Sequence, residues 1–184
     1  YIYDKDGIVT DEKINYLLEM RASGRDKAKD YADKFGVPFY PGEKPWGVKV
    51  DIAMPCATQN EVNLEEAKRI IANGTKYYIE VANMPTTEDA LNLFIDTEGI
   101  TVAPSKAVNA GGVCVSGLEM SQNSQRLSWT AEEVDEKLHH AMINIYNNSV
   151  AAAEKYGLGY NLVAGANIAG FEKVAQAMME QGIY

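Results

Sequence analysis

The sequence predicts an α/β protein with a doubly wound, mainly parallel sheet, followed by a C-terminal helical region. Short apolar runs rich in β-branched and aromatic residues recur along the chain, and most precede a helical pattern. Strands joined through helices form parallel sheets with right-handed crossovers and with both faces covered. From about residue 111 the strands stop and helices take over.

The first half of the chain carries start and stop signals for three helices between the predicted strands. Thr10 is a predicted N-cap, and a second helical stretch ends just before Gly36. Asn63 and Glu66 predict a capping box at the start of the third helix. The predicted strands are the runs YIY, VPFY, VDIAM, YYIEV and ITVAP.

Two long helices are predicted near the C-terminus. Thr130 and Glu133 repeat the capping-box pattern, and the helix that they open runs to about Tyr156. A last helix is predicted from about Asn167 to Gln181. Steps of three and four residues place one apolar stripe on the first of these helices, formed by Val134, Leu138, Ala141, Met142 and Ile145.

Composition excludes several classes of protein. The chain has 184 residues, 46% of them hydrophobic, which is enough for one compact domain. A formal charge of -9 argues against nucleic acid as a partner, since proteins that bind nucleic acids have clustered Lys and Arg on their surface. No apolar run approaches the ~20 residues needed to span a bilayer. We therefore expect no membrane segment and a cytoplasmic protein.

The cysteines and histidines do not predict a metal or redox site. Cys56 and Cys114 are far apart, with no second thiol near either, so we expect two reduced and mostly buried thiols. His139 and His140 are adjacent, and on a helix they point roughly 100° apart and cannot share a metal ion. We expect them at a surface or interface.

Three loops at successive predicted strand ends are candidates for ligand binding, because ligands of open parallel sheets bind beyond the carboxyl ends of the strands. These loops are PCATQN, ANMPTT and SKAVNAGG. They offer small residues and uncharged amides or hydroxyls, with no strong acid or base except Lys106. Such groups suit a neutral, amide-bearing ligand. The same residue types also form ordinary loops, so a nucleotide-like ligand and plain loop structure both remain open.

The segment GANIAG, residues 165–170, is not a dinucleotide fingerprint. It lacks the middle glycine, and no predicted strand leads into it. We interpret it as a helix N-terminus whose small residues permit close packing.

The segments PCATQNE, ANMPTT, NAGGVCVSGLEMSQN and GANIAGF occur in this order along the chain. Together they resemble the cofactor-binding domain of the glutamate dehydrogenase family. The segment SGLEMSQN is similar to the sequence found in the hexameric, small-subunit, usually NADP-linked branch of that family. The resemblance covers residues 1–184 and implies a Rossmann-like fold that is incomplete here. It also implies that an N-terminal substrate domain is absent.

The resemblance implies a cofactor site at the three loops. Ala57, Thr58 and Asn83 match residues that lie along the nicotinamide ribose side of the cofactor. Asn109 matches the asparagine that meets the nicotinamide region. The implied cofactor is NADP, with NAD as the alternative.

The resemblance also implies substrate contacts in the stretch that follows Asn109. Gly111 and Gly112 match glycines that let the backbone come close as a helix begins. Val113 matches a residue of the substrate pocket, and Ser116 matches the serine that hydrogen-bonds the side-chain carboxylate of glutamate. A hydroxyl one turn into a helix, near the positive end of its dipole, suits a carboxylate. A helix serine that bonds its own backbone is the alternative.

The activity implied by the resemblance is reversible oxidative deamination of L-glutamate to 2-oxoglutarate and ammonia, by a homohexamer. The catalytic lysine and aspartate of the family are expected upstream of Tyr1, as are the glycine-rich turn and the residues that distinguish NAD from NADP. No catalytic residue is therefore expected in this chain. Two alternatives remain: a related dehydrogenase for an apolar amino acid, and a catalytically inert nucleotide-binding fragment.

Overall fold

The computed structural model describes residues 1–25 and 27–182 of the chain. The chain divides into two compact units, Tyr1–Pro45 and Trp46–Tyr184. The first unit contains helices α1 (Asp11–Ala22) and α2 (Ala28–Phe35). A short 3-10 helix, Pro45–Gly47, lies at the boundary between the units.

The predicted strands YIY and VPFY do not join a parallel sheet, so this part of the prediction was wrong. They meet in one antiparallel bridge between Ile2 and Phe39. The Tyr3 amide donates to the Pro38 carbonyl at 3.1 Å. Because Pro38 has no amide hydrogen, VPFY cannot form a full ladder on both sides.

A partly buried ion pair ties the N-terminal turn to α1 and α2. The Asp4 carboxylate lies 2.7 Å from Lys13 Nζ and accepts a hydrogen bond from the Tyr31 hydroxyl at 2.6 Å. Lys13 Nζ also donates to the Gly7 carbonyl at 2.8 Å. The hydrogen bond from Lys13, followed by that from Tyr31, lowers the pKa of Asp4. Burial, together with Asp4, raises the pKa of Tyr31 to about 12.

The second unit contains the predicted parallel sheet. Its strands β1 (Ile52–Ala53), β2 (Tyr77–Ile79) and β3 (Thr101–Ala103) lie in the order β1-β2-β3, and both pairs are parallel. Helices α3 (Leu64–Ala72) and α4 (Glu88–Asp96) connect successive strands. Each strand lies beside the one that precedes it in sequence, as in one half of a doubly wound sheet. The predicted α/β class is confirmed.

The core of this unit lies between the sheet and its helices. Tyr78 of β2 and Phe94 of α4 are fully buried, and their rings stack with centroids 3.9 Å apart. The Tyr78 hydroxyl is hydrogen-bonded to Thr86 Oγ1 at 2.7 Å, so its polar end is satisfied inside the core. The other buried core residues are Ala53, Val62, Ala67, Ile70, Ala90 and Val102.

The helix starts predicted from capping residues are confirmed. Thr10 caps α1 through its side chain. Asn63 Oδ1 accepts from the Glu66 amide at 3.1 Å, and Glu66 Oε2 accepts from the Asn63 amide at 2.8 Å. Thr130 and Glu133 form the same reciprocal pair at the start of α7 (Ala131–Lys155).

Helices occupy the rest of the chain: α5 (Ser105–Val108), α6 (Ala110–Gln125), α7 (Ala131–Lys155) and α8 (Leu162–Gln181). The predicted start of the last helix at Asn167 was wrong by five residues. Asn161 Oδ1 accepts from the Ala164 amide at 3.0 Å and caps the helix there. The segment GANIAG is therefore inside α8.

Close helix packing, as predicted for GANIAG, occurs at Gly165. A Cβ atom added to Gly165 would lie 2.0 Å from the Ser149 carbonyl oxygen of α7 and 3.2 Å from Ala153 Cβ. Gly165 is itself buried. Helices α7 and α8 therefore approach each other at a point where only hydrogen fits.

Candidate functional site

The loops after β1 and β2 are joined by backbone hydrogen bonds. The Pro55 carbonyl accepts from the amides of Val81, at 3.1 Å, and Ala82, at 2.9 Å. Further along, Val62 and Thr86 form an isolated parallel bridge. The carboxyl ends of these strands thus continue as one connected surface, where ligands of parallel sheets bind.

Asn109 connects the loop after β3 to the same surface. Its Nδ2 atom donates to the Val81 carbonyl at 3.2 Å and to Asn83 Oδ1 at 2.6 Å. A backbone carbonyl can only accept, so the Asn109 amide must direct its nitrogen towards Val81. The same nitrogen then requires the oxygen of Asn83 to face it.

These two asparagines fit a carboxamide ligand such as the nicotinamide group. The hydrogen bond between the two side chains uses Asn109 Nδ2 and Asn83 Oδ1. The Asn83 NH₂ group can then donate to a ligand, and Asn109 Oδ1 can accept from it. A primary carboxamide carries the complementary acceptor and donor. The structure therefore brings together two of the predicted cofactor residues in a suitable orientation.

The backbone amides of Ala57 and Thr58 are already hydrogen-bonded within their own loop. Their amides donate to Glu61 Oε2, at 3.0 Å from Ala57 and 2.7 Å from Thr58. Both residues are exposed. Because Glu61 already engages these amides, a ligand at this loop would meet side chains and carbonyl groups. Sequence reasoning missed Glu61, which follows directly after the quoted loop PCATQN.

Val113 and Ser116 lie along one face of the helix α6, and Asn109 is its N-cap residue. Their spacing of three residues places Val113 and Ser116 within about 60° of one another around the helix axis. Val113 is 78% exposed, and Ser116 is exposed as well. An apolar side chain this exposed is available for contact with a ligand or another part of the protein.

Ser116 lies deeper in its helix than expected. It is the seventh residue of α6, in the second turn. The expectation of a hydroxyl one turn into the helix was therefore wrong. Since the helix dipole acts mainly within the first turn, it contributes little at Ser116. A carboxylate bound at Ser116 would therefore be held by the hydroxyl group and not by the helix dipole.

The two glycines before Val113 face different surroundings. A Cβ atom at Gly111 would lie 3.4 Å from Leu138 Cδ1 of α7, which is ordinary van der Waals contact. At Gly112 nothing lies within 4 Å of such an atom. Packing within the chain therefore requires neither glycine, and Gly112 faces open space beside Val113.

Lys106 is the one strong acid or base within the three loops, and a buried acid, Glu80, lies two residues before the second of them. Lys106 is exposed and hydrogen-bonds Asn167 of α8. Glu80, immediately after β2, is only 4% exposed, and its Oε2 atom accepts from the Ser105 amide at 3.1 Å. The signal was present as the single charge in the apolar run YYIEV.

A cleft between the C-terminal helices is not lined by any of the predicted site residues. One cleft of about 320 Å³, between α7 and α8, is lined by Lys106, Ile145, Ser149 and Lys173 among others. Volume alone identifies no chemistry, whereas Asn83 and Asn109 present oriented polar groups. We therefore place the candidate site at the strand ends, on an open surface.

The described residues contain no cluster of three or more His, Cys, Asp or Glu arranged to hold a metal ion. Within the same residues, no helix is both long and apolar enough to cross a membrane. Cys56 is exposed, so the expectation that both thiols are mostly buried was wrong for it. It lies in the loop after β1, and its thiol donates to the Met54 carbonyl at 3.2 Å.

Comparison with known proteins identifies clear relatives. Residues 1–182 match the family described as Glutamate/Leucine/Phenylalanine/Valine dehydrogenase. The chain is 73% identical, over 183 residues, to the NAD-specific glutamate dehydrogenase of Clostridium symbiosum. It is 50% identical, over 189 residues, to the NADP-specific glutamate dehydrogenase of Haemophilus influenzae.

The structural comparison gives the same result. A solved glutamate dehydrogenase superimposes with a TM-score of 0.95 at 73% identity, covering 99% of this chain and 40% of that one. Both sequence relatives are matched across 100% of this chain and 41% of their own length. The chain thus spans about two fifths of the relatives that it matches.

Proposed function

The chain belongs to the glutamate/leucine/phenylalanine/valine dehydrogenase family, and on this basis we propose an activity for the protein that contains it. The proposed reaction is the reversible oxidative deamination of L-glutamate to 2-oxoglutarate and ammonia, coupled to a nicotinamide cofactor. The observation that carries the proposal is the 73% identity, across the whole chain, to an enzyme named for glutamate. In this proposal, the chain supplies contacts to the cofactor and to the substrate side chain.

The proposed cofactor contacts hold the nicotinamide group in place. When bound, the nicotinamide ring accepts the hydride from the substrate. Asn83 donates to the ring's carboxamide and Asn109 accepts from it, while Ala57 and Thr58 lie on the ribose side. A carboxamide held at two points cannot rotate freely, so Asn83 and Asn109 would restrict the orientation of the ring relative to the substrate.

The proposed substrate contacts are on the exposed face of α6. Ser116 donates its hydroxyl hydrogen to the side-chain carboxylate of glutamate, and Val113 packs against the methylene groups of the substrate. With the side-chain end of the substrate fixed, the positions that the reacting carbon can take relative to the ring are restricted. The acid-base groups are assigned to other parts of the protein, since neither Val113 nor Ser116 has a group that ionises near neutral pH.

A dehydrogenase for an apolar amino acid is the second candidate, because the family name also includes leucine, phenylalanine and valine. The exposed side chain of Val113 favours it. Ser116 opposes it, because a desolvated hydroxyl without a partner costs about 1–3 kcal/mol. The names of the two sequence relatives also favour glutamate.

The choice between NADP and NAD stays a prediction. The resemblance implied NADP, which agrees with the name of the 50% identical relative. The 73% identical relative is named for NAD. A comparison of kcat/KM for the two cofactors decides between them.

Three further expectations stay predictions about the whole protein. They are that residues 1–184 form part of a dinucleotide-binding domain, that the protein assembles as a homohexamer, and that it is cytoplasmic. Mass measurement in solution tests the second, and localisation of a tagged protein tests the third.

We predict that the chain of 184 residues alone does not reduce NAD⁺ or NADP⁺ in the presence of glutamate, whereas the full-length protein does. The reason is that the proposed contacts bind and orient but transfer no proton. The measurement is glutamate-dependent absorbance at the wavelength of the reduced cofactor. Turnover by the isolated chain would place acid-base groups within it and contradict this division of roles.

A further inference from the structure

Glu80 is a buried acid that the proposed reaction leaves without a role. Its amide donates to the Ala103 carbonyl at 3.0 Å, which extends the β2–β3 ladder by one residue. Its side chain is enclosed, since the residue is 4% exposed. Burial of a carboxylate is costly unless it is hydrogen-bonded, so the partner of Glu80 indicates what it does.

That partner is the first residue of the helix α5. Glu80 Oε2 accepts from the Ser105 amide at 3.1 Å. The N-cap position of α5 is Pro104, which provides no side-chain cap. The first amides of a helix have no partner within the helix, and an acid is the favoured partner for them. Glu80 therefore caps α5 from the neighbouring strand.

The other end of α5 is held by the residue next to Glu80. Asn109 is the C-cap of α5, and its amide donates to the Ser105 carbonyl at 2.9 Å. Its side chain donates to the Val81 carbonyl at 3.2 Å. Two consecutive residues at the end of β2 thus hold the two ends of a four-residue helix.

We propose that Glu80 is a positioning residue for the nicotinamide cofactor, which acts by fixing α5 and thereby the Asn109 side chain. This inference rests on the proposed function. Without the bond from Glu80, α5 is anchored at one end only, and Asn109 spends less time in the orientation that complements a carboxamide. The apparent affinity for the cofactor then falls in proportion to the population of the competent orientation.

The test uses three variants of the full-length protein, with Kd for NADH and NADPH measured by cofactor fluorescence. Glu80→Ala removes the acceptor, and Kd is expected to rise about tenfold if the competent population falls to about a tenth. Glu80→Gln retains an oxygen acceptor and is expected to stay within about threefold of the wild type. Ser105→Pro removes the donor while leaving Glu80 in place, and it should behave like Glu80→Ala.

Ser105→Pro keeps the inference testable if Glu80→Ala does not fold. Proline is tolerated at the first position of a helix. The preceding residue, Pro104, has ψ of 146°, which is the extended conformation that a following proline requires.

Thr75→Val is the matched control. Thr75 is 3% exposed, its hydroxyl donates to the Val50 carbonyl at 3.0 Å, and it precedes β2 at the end opposite to Glu80. The variant removes a buried hydrogen bond without touching α5. A stability loss with unchanged cofactor Kd is expected.

Amide hydrogen exchange separates this inference from the proposed function. In Glu80→Ala and Ser105→Pro, without cofactor, the amides of residues 107–109, which are hydrogen-bonded to the carbonyls of Pro104 and Ser105, should exchange at least about tenfold faster than in Thr75→Val. If the wild-type protein bound neither NADH nor NADPH, the proposed function would be overturned. The exchange rates would still show whether Glu80 stabilises α5. Unchanged exchange in both variants, or an equal rise of Kd in Thr75→Val, would overturn the positioning role.

Discussion

Gly165→Ala is expected to lower the free energy of unfolding by about 1–3 kcal/mol or more, which is the range for overpacking in a filled interior. The added Cβ atom would lie 2.0 Å from the Ser149 carbonyl oxygen and 2.9 Å from its carbon. These are backbone atoms of α7, so a side-chain rotation cannot relieve the clash. One of the two helices must move. Denaturant unfolding of the full-length protein, followed by far-ultraviolet circular dichroism, measures the change.

Gly170→Ala is the control, because it makes the same chemical change in the same helix. Nothing lies within 4 Å of a Cβ atom at Gly170. Alanine is favoured over glycine within a helix by up to about 1 kcal/mol, so this variant should be as stable as the wild type or more stable. If Gly165→Ala unfolds at the same denaturant concentration as Gly170→Ala, the tight crossing of α7 and α8 is wrong.

Ser116→Ala is expected to reduce kcat/KM for L-glutamate by about 5- to 150-fold. A hydrogen bond from a neutral hydroxyl to a charged carboxylate contributes about 1–3 kcal/mol, and each 1.4 kcal/mol corresponds to about tenfold. Because Ser116 is exposed, its removal should leave the stability of the chain unchanged. Steady-state kinetics at saturating cofactor measure the effect.

Ser121→Ala is the matched control for this experiment. Ser121 is exposed on the same helix, and its hydroxyl donates to the Gly117 carbonyl at 2.9 Å, so it bonds its own backbone. Its removal should leave kcat/KM unchanged. Equal values for Ser116→Ala and the wild type would give Ser116 the same local role as Ser121 and would remove it from the substrate site.

Local signals in the sequence predicted much of this fold. The capping boxes at Asn63 and Thr130 were recognisable because both partners of each box lie within four residues. The three strands of the sheet were recognisable as apolar runs. The C-terminal helical region was predicted from about residue 111 and begins six residues earlier, at Ser105.

Part of what the prediction missed depends on contacts between residues distant in sequence. The run VPFY has a strand-like composition, but its partner is Ile2, and only the tertiary structure shows that their pairing is antiparallel. The charge of Glu80 was visible in YYIEV, yet its role depends on Ser105, 25 residues further along.

The candidate site was only partly predictable from the residues alone. The loops containing Asn83 and Asn109 were indicated by their position after strands, and the structure brings them within 2.6 Å of each other. The depth of Ser116 in α6 was not predicted, because the sequence indicated a helix start at the glycine pair, whereas α6 begins at Ala110. The roles in substrate binding came from family resemblance.

The most direct test of the proposed activity is a comparison of kcat/KM for L-glutamate and L-leucine in the full-length protein, with NAD⁺ and with NADP⁺. Leucine in the substrate site would leave the Ser116 hydroxyl without a hydrogen-bond partner, which costs about 1–3 kcal/mol. Glutamate should therefore be preferred by at least about fivefold with whichever cofactor is used. Equal or greater efficiency with leucine would contradict the assignment of glutamate as substrate and of Ser116 as its contact.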